Sequence, residues 1–158
     1  MPRRAGRPLS ADSLDSQTMR DQIELHDSRV AVHLVGDAIV LRLCPAYVHH
    51  WERSSAGWRG EGRSQSAEIV ITKASSVVPT STDAIHDVAS GWLQVGNQRY
   101  ENLIPVPLVE QATVRGRLEL VNSQPLEVQG KGVTIRLVGE PEIVEELPPG
   151  WAPSRDAV

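Results

Sequence analysis

The chain has 158 residues, of which 40% are hydrophobic and 23% are charged, values typical of one globular domain with a hydrophobic core. They exclude a chain that is disordered throughout, a collagen-like chain and a membrane bundle. Sixteen basic and 20 acidic side chains give a net charge of −4, the wrong sign for a protein that binds mainly phosphate backbones, so we do not expect nucleic acid as a partner.

We divide the chain into a single β domain between two tails. Residues 1–18 are rich in Pro, Arg, Ser and Asp without periodicity, which predicts a disordered N-terminal tail. Residues 148–158 predict a C-terminal tail. The domain, residues 19–147, draws its apolar side chains mostly from Val, Leu and Ile, and the chain has no Phe; branched aliphatic residues favour strands.

The domain begins with alternating apolar and polar residues, the pattern of half-buried strands. Residues 22–26 predict a short strand. Residues 29–35 and 38–44 predict a hairpin, because the Gly36-Asp37 pair between them favours a tight turn.

A second pair of strands is predicted at residues 46–53 and 65–74. The stretch between them is rich in Ser, Gly and Arg, a composition typical of loops. Residues 53–66 are therefore interpreted as the connecting loop of a long hairpin.

The second half of the domain shows the same alternation. Residues 92–95 and 98–103 predict a hairpin across Gly96-Asn97. Further strands are predicted at residues 112–120, 126–129 and 133–137, with a turn at residues 130–132. Gly116 interrupts an inward apolar row, which predicts a bulge or a large side chain lying over the backbone.

These elements predict an all-β fold of about nine strands, arranged as an antiparallel β-sandwich or a small β-barrel. Helical signals are weak. Only residues 11–20 and residues 83–89 could hold a turn or two of helix, and neither shows a sustained period of 3.6.

A base, a carboxylate and a hydroxyl follow one another at His26-Asp27-Ser28. Neighbours on an extended chain point to opposite faces, so these three cannot form a catalytic triad with one another. We interpret the junction as a bend between two strands, in which Asp27 and Ser28 accept hydrogen bonds from backbone N–H groups. Asp27→Ala should then remove a bond to a buried donor.

Histidines and carboxylates also offer a candidate metal site. Its ligands would be His26, His49, His50 and Glu52, since zinc and iron take imidazole and carboxylate ligands. The spacing contains no His-x-His or His-Glu-x-x-His pattern. We favour half-exposed histidines on a sheet; the metal site would require His26 to meet one of the other three across the sheet.

The predicted loop carries a candidate ligand platform made of Arg53, Trp58, Arg59 and Arg63. Cations beside an indole can bind an anionic or planar ligand, or a nucleic-acid single strand. The simpler interpretation, which we favour, is a hairpin tip whose Trp folds back onto the sheet. We expect Trp51 to be buried and Trp58 to be partly exposed.

The acidic segment near the C-terminus surrounds Ile143 and Val144 with glutamates. This pattern predicts an edge strand or extended arm, in which like charges discourage uncontrolled pairing. The same edge could pair with a second copy across a two-fold axis, which would make a homodimer.

Location is indicated by cysteine and targeting signals. Cys44 is the single cysteine, so a scaffold of intrachain disulfides is excluded. No signal peptide pattern is present, and no apolar run approaches the roughly 20 residues that cross a bilayer. We expect a cytoplasmic protein without membrane contact and without a cofactor, and its preference for Arg over Lys indicates a GC-rich bacterium.

Two segments resemble small uncharacterised bacterial all-β proteins. They are Leu-His-Asp-Ser at residues 25–28, followed by the Val-rich hairpin, and Val-Gln-Gly-Lys-Gly-Val-Thr-Ile-Arg-Leu-Val-Gly-Glu-Pro at residues 128–141. The resemblance implies an all-β fold and supplies no catalytic residue.

The absence of a convergent catalytic motif makes a non-enzymatic module the first functional hypothesis. Such a module would bind an unidentified protein partner or itself through a sheet edge. The alternative is a small-ligand-binding barrel or a metal-dependent enzyme that uses the histidines.

Overall fold

The computed structural model describes residues 19–78 and 84–153. The predicted N-terminal tail lies outside these residues, as do residues 154–158. Nearly all of the described chain forms twelve strands: β1 Met19–Glu24, β2 Arg29–Val35, β3 Ala38–Ser54, β4 Gly57–Thr72, β5 Ser76–Val78, β6 His86–Val95, β7 Gln98–Glu101, β8 Leu103–Val106, β9 Leu108–Glu110, β10 Val114–Leu120, β11 Leu126–Gly130 and β12 Gly132–Leu147. The all-β prediction is confirmed.

All strand pairs are antiparallel and form two sheets. In the first sheet β8, β1, β3, β4, β12 and β9 are neighbours in that order, and β2 pairs with β3 beside β1. In the second sheet the order is β5, β11, β10, β6 and β7. The sheets are joined where β2 pairs with β6 at Arg29–Asp87 and Val30–His86. The twelve described strands do not close into a barrel.

The two sheets share one aliphatic core. Its buried members alternate along the strands, as Ile39, Leu41 and Leu43 do on β3, because successive side chains of a strand point to opposite faces. The sheets approach closely: a Cβ on Gly91 of β6 would lie 2.9 Å from Leu25 Cδ1. Val, Leu, Ile and Ala make up the whole buried cluster of the described residues, which explains how a chain without Phe builds its core.

The two predicted tight turns are confirmed. Gly36 and Gly96 have φ angles of 60° and 58°, in the region that favours glycine. At Gly116 the structure shows close packing instead of a bulge, since a Cβ there would lie 3.0 Å from Val128 and 3.1 Å from Leu93.

The predicted loop at residues 53–66 is wrong. Strand β3 continues through a bulge between Leu43 and Ala46, and β4 pairs with it from Gly57 onwards, so only two residues connect the strands. Strand β3 combines the predicted strands at residues 38–44 and 46–53, which lowers the number of strands. Strands β5, β8 and β9 raise the number to twelve. They have only three or four residues, too few to show alternation in the sequence.

The predicted turn at residues 130–132 does not make a hairpin. β11 pairs with β10 and β5, whereas β12 pairs with β4 and β9, so Lys131 carries the chain from one sheet to the other. The predicted helical turn at residues 83–89 is also wrong, because β6 begins at His86. Within the described ranges, the single helical element is a 3₁₀ turn at Pro149–Trp151.

Candidate functional site

Four strands of the first sheet run side by side at one end of the molecule. They are β1, residues 46–54 of β3, residues 57–66 of β4 and residues 139–147 of β12, in that order across the sheet. We call this region the arm. Most of the aromatic side chains and the buried histidines lie in it or pack on it.

Two glycines of β4 allow aromatic rings of β3 to lie flat on one face of the arm. Gly60 is paired with Trp51, and a Cβ on Gly60 would lie 2.7 Å from Cη2 of that indole. Likewise a Cβ on Gly62 would lie 2.8 Å from Tyr47 Cζ. Trp51 is fully buried. The Gly60-Glu61-Gly62 sequence is therefore a bed for two rings, since any side chain would clash with them.

His49 lies between these rings and is 4% exposed. Its Nε2 is 2.6 Å from Glu24 Oε2 on β1. The ring of Trp151 stacks on the imidazole with 6.3 Å between the ring centres, and the ring of Tyr47 meets it edge-on with 5.5 Å between the centres. An ionised carboxylate only accepts hydrogen bonds, so in the neutral ring Nε2 carries the proton and Nδ1 keeps a lone pair. That Nδ1, like Trp51 Nε1, is buried without a partner in the described chain.

Tyr47 donates a short hydrogen bond to the Glu145 carboxylate on β12. Burial raises the pKa of Tyr47 well above its ordinary value, and the hydrogen bond and charge of Glu145 raise it further. The charges of Glu24 and Asp27 act in the same direction. This face of the arm therefore collects negative charge around an aromatic centre.

The opposite face carries a second carboxylate–histidine group. His50 is buried, with Nδ1 2.6 Å from Asp21 Oδ1 and Nε2 3.0 Å from Glu52 Oε1. Because ionised carboxylates only accept, both bonds form together only when both ring nitrogens carry protons. The hydrogen bond from His50 lowers the pKa of Glu52. In this arrangement His50 has no lone pair to offer a metal.

The structure separates the four predicted platform residues. The Arg53 guanidinium lies 5.8 Å from the Trp58 ring centre, and Arg20 of β1 lies 5.9 Å from the same ring. Arg59 and Arg63 alternate with Trp58 along β4 and therefore point to the opposite face. The cation–aromatic group thus consists of Arg20, Arg53 and Trp58, and the expected burial of Trp51 with partial exposure of Trp58 is confirmed.

Carboxylates bind the other two arginines. Arg59 Nη2 lies 3.7 Å from Glu146 Oε1, and Arg63 Nη2 lies 2.9 Å from Glu61 Oε2. Sequence reasoning missed Arg20 because β1 reaches Trp58 only through its pairing with β3.

The bend at residues 25–28 is confirmed, and so is the backbone role of Ser28. Ser28 Oγ donates to the Glu24 carbonyl at 2.6 Å and accepts the Tyr47 N–H at 3.0 Å. The role predicted for Asp27 is wrong. Its exposed carboxylate faces His26 at 3.2 Å, because its left-handed backbone, with φ of 70°, turns it out of the strand interruption.

Asn102 supplies the backbone contacts that we assigned to Asp27. Its Oδ1 accepts the His26 N–H and its carbonyl accepts the Leu25 N–H, each at 2.8 Å. An Asn before a strand is a usable signal for a left-handed position, and Asn102 has φ of 62°. Its contact with the bend, 76 residues away, is not visible in the sequence.

The predicted metal ligands divide between the two faces. His50 and Glu52 meet on one face, whereas His26 and His49 both approach Glu24 on the other, at 4.0 Å and 2.6 Å. His26 thus reaches His49 only through Glu24. The compact ligand group of the described residues is Glu24, His26 and Asp27, with one ligand atom of each within 4.8 Å of the others.

The outer edge of the arm is residues 139–147 of β12. In the described chain the paired residues of this segment, Glu142, Ile143 and residues 145–147, pair with β4 alone, because β9 covers only Val133, Thr134 and Ile135. Residues 139–141 and Val144 lie in two bulges. Ile143 and Val144 are 63% and 56% exposed. The predicted edge strand is confirmed, and we call residues 139–147 the free edge.

Comparison with known proteins adds no functional information, since no family model, curated protein or solved structure matches the chain. In the described ranges, no helix is both long and apolar enough to span a membrane.

Proposed function

We propose that this protein is a non-enzymatic interaction module that binds an extended basic segment of a partner protein along the free edge. The observation that carries the proposal is the one-sided pairing of residues 142–147, which continues on both sides of a bulge at Val144 and leaves Ile143 and Val144 exposed. A strand edge offers unpaired N–H and C=O groups to which an extended peptide can add. A cytoplasmic location stays a prediction of the sequence.

The side chains of the free edge indicate the chemistry of the partner. Ile143 and Val144 are exposed in its centre, where they can contact apolar side chains of an added strand. Glu140, Glu142 and Glu145 are also exposed. Opposite charges across a strand pair are stabilising, so Lys or Arg on the added strand fits this edge.

A second copy fits the same edge less well. If two copies paired about the centre between Ile143 and Val144, Glu142 of one copy would face Glu145 of the other. Like charges directly opposite each other destabilise a strand pair. We therefore favour a basic partner over the homodimer that the sequence suggested.

Fluorescence anisotropy with a labelled peptide tests the proposal. The probe is a peptide of about eight residues that alternates Lys and Val, and an alternating Glu-Val peptide is its counterpart. We expect the basic peptide alone to bind, and its affinity to fall with added salt because the pairing is electrostatic in part. Val144→Lys should abolish binding by placing a cation in the centre of the edge.

Val121→Lys is the matched control, because Val121 is an exposed valine outside the arm and its replacement should leave binding unchanged. Equal binding of both peptides, or binding that survives Val144→Lys, contradicts the proposal. Failure of both peptides to bind would mean that the glutamates only protect the edge. Light scattering adds one outcome: a dimer that Val144→Lys dissociates would show that a second copy is the partner.

A further inference from the structure

The bend between β1 and β2 brings together three different metal-ligating side chains. His26 Nδ1 lies 3.2 Å from Asp27 Oδ2 and 4.0 Å from Glu24 Oε1. Two ligand atoms that are each about 2.1 Å from one ion are at most about 4.2 Å apart. The 3.2 Å separation already fits two ligands of a tetrahedral ion, which are about 3.4 Å apart, whereas the Glu24 carboxylate has to shift towards His26 to share the ion.

We propose that Glu24, His26 and Asp27 bind a divalent transition-metal ion, and that His49 holds Glu24 in place from behind. The site is independent of the free edge. One imidazole nitrogen and two carboxylate oxygens favour an ion such as Zn²⁺ over Ca²⁺ or Mg²⁺, which prefer oxygen alone. Three protein ligands leave a coordination position for water.

His49 is an independent observation for this site, since it lies outside the ligand group. It is buried, and its Nε2 binds Oε2 of Glu24, which leaves Oε1 of the same carboxylate turned towards His26. Metal-ligating carboxylates are commonly hydrogen-bonded from behind in this way, which orients them. Nδ1 of His49 has no partner in the described chain, so the hydrogen bond that orients the ring there is the one to Glu24.

The negative charges of Glu24 and Asp27 favour binding of a cation at the cluster. The ion-pair contacts of Glu24 and Asp27 are with imidazoles, which carry no charge when neutral. Burial and Glu145 contribute most to the raised pKa of Tyr47, and the charges of these two carboxylates raise it further. A bound divalent ion would neutralise these two charges.

The backbone around the site is held before any ion arrives. Asn102 accepts the N–H groups of Leu25 and His26, and Ser28 links the Glu24 carbonyl to the Tyr47 N–H. A site whose ligands are fixed in advance loses less entropy on binding. His26 is 54% exposed, so an ion can reach it from solvent.

Titration calorimetry of the tag-free full chain with ZnCl₂ tests the proposal. We expect one ion per chain. His26→Gln and Asp27→Asn each remove a ligand from an exposed position, so both variants should fold normally and lose zinc binding. His33→Gln, a histidine of β2 outside the cluster, is the matched control and should bind as the wild type does.

His49→Gln tests the positioning role. We expect roughly a 10- to 100-fold loss of zinc affinity, the range found when a group that orients a metal ligand is removed, with zinc still bound through Glu24, His26 and Asp27. If this buried substitution prevents folding, His26→Gln and Asp27→Asn still decide the site. Absence of zinc binding in the wild type, unchanged binding in His26→Gln, or loss of binding in Asp21→Asn on the opposite face would overturn the assignment.

Discussion

The aliphatic core and the arm use the same strands but are stabilised by different interactions. On β3 the inward positions are Ile39, Leu41 and Leu43 in the core. The bulge after Leu43 shifts the alternation by one residue, so the core face continues at Ala46 and Val48, and His49 and Trp51 lie on the opposite face in the arm. The core is stabilised by burial of branched aliphatic side chains. The arm combines rings lying on glycine with histidines bound to carboxylates.

Buried polar side chains distinguish the arm from the core. The buried polar side chains of the described residues are Ser28, His49 and His50, and all three lie in the arm or at the bend beside it. Burial of a polar group is costly unless it is hydrogen-bonded. A region that keeps buried titratable groups next to a free edge is therefore a better place to look for binding than the core.

The largest expected loss of stability in the arm comes from replacing Trp51. Trp51→Ala should lower the free energy of unfolding by about 3 to 5 kcal/mol, as for other fully buried large aromatic side chains. Ile135→Ala, at a fully buried position of the core, should cost about 2 to 5 kcal/mol. Urea unfolding of both variants measures whether the arm contributes as much as the core.

Trp58→Ala is the control within the arm. Trp58 is partly exposed and contacts two guanidinium groups, so its loss should cost about 1 kcal/mol. Equal costs for Trp51→Ala and Trp58→Ala would show that the glycine bed contributes nothing specific.

A smaller effect is expected from the glycine bed itself. Gly60→Ala places a methyl group against the indole of Trp51 and should cost about 1 to 3 kcal/mol, the usual range for overpacking. Trp51→Leu should relieve the clash, so the double variant should lose less stability than the sum of the two single variants. Gly150→Ala, where a Cβ meets nothing within 4 Å, should be neutral. Additive losses in the double variant would contradict the contact.

The core could be predicted from the sequence, because local alternation determines it. The turns at Gly36 and Gly96 follow from residue types that tolerate positive φ. The edge strand at residues 139–147 follows from glutamates around two apolar residues. Each of these features depends on neighbours in the chain.

The arm could not be predicted in the same way. Its β4 half is rich in Gly, Ser and Arg, residues of low strand propensity or typical of loops, and it pairs because rings of β3 cover its glycines. The carboxylates of Glu24 and Asp21, which bind His49 and His50, come from β1, more than 20 residues away, and their contacts depend on the β1–β3 register. Tyr47, His49 and Trp51 alternate on β3, and Gly60 and Gly62 alternate on β4. This pattern indicates that the rings pack on the glycines once the two strands are paired up to residues 54 and 57.

The last effect is expected at high pH, where ionisation of Tyr47 in the arm should lower the free energy of unfolding. The folded protein holds the phenolic proton of Tyr47 more tightly than the unfolded chain, because burial and Glu145 raise its pKa. Above the ordinary tyrosine pKa of about 10 the unfolded chain loses this proton first. The free energy of unfolding should therefore fall as pH rises through this range, by at most about 1.4 kcal/mol per pH unit for one proton.

Tyr47→Phe separates this effect from the rest of the alkaline response. It removes the proton and the bond to Glu145, so its stability should decline less than that of the wild type between about pH 9 and about pH 11. The pKa of Tyr100 is also raised, by burial and by the charge of Glu110, and Tyr100→Phe measures that separate share. If Tyr47→Phe follows the wild-type curve, the phenol ionises equally easily in the folded and unfolded states, which would contradict its burial beside Glu145.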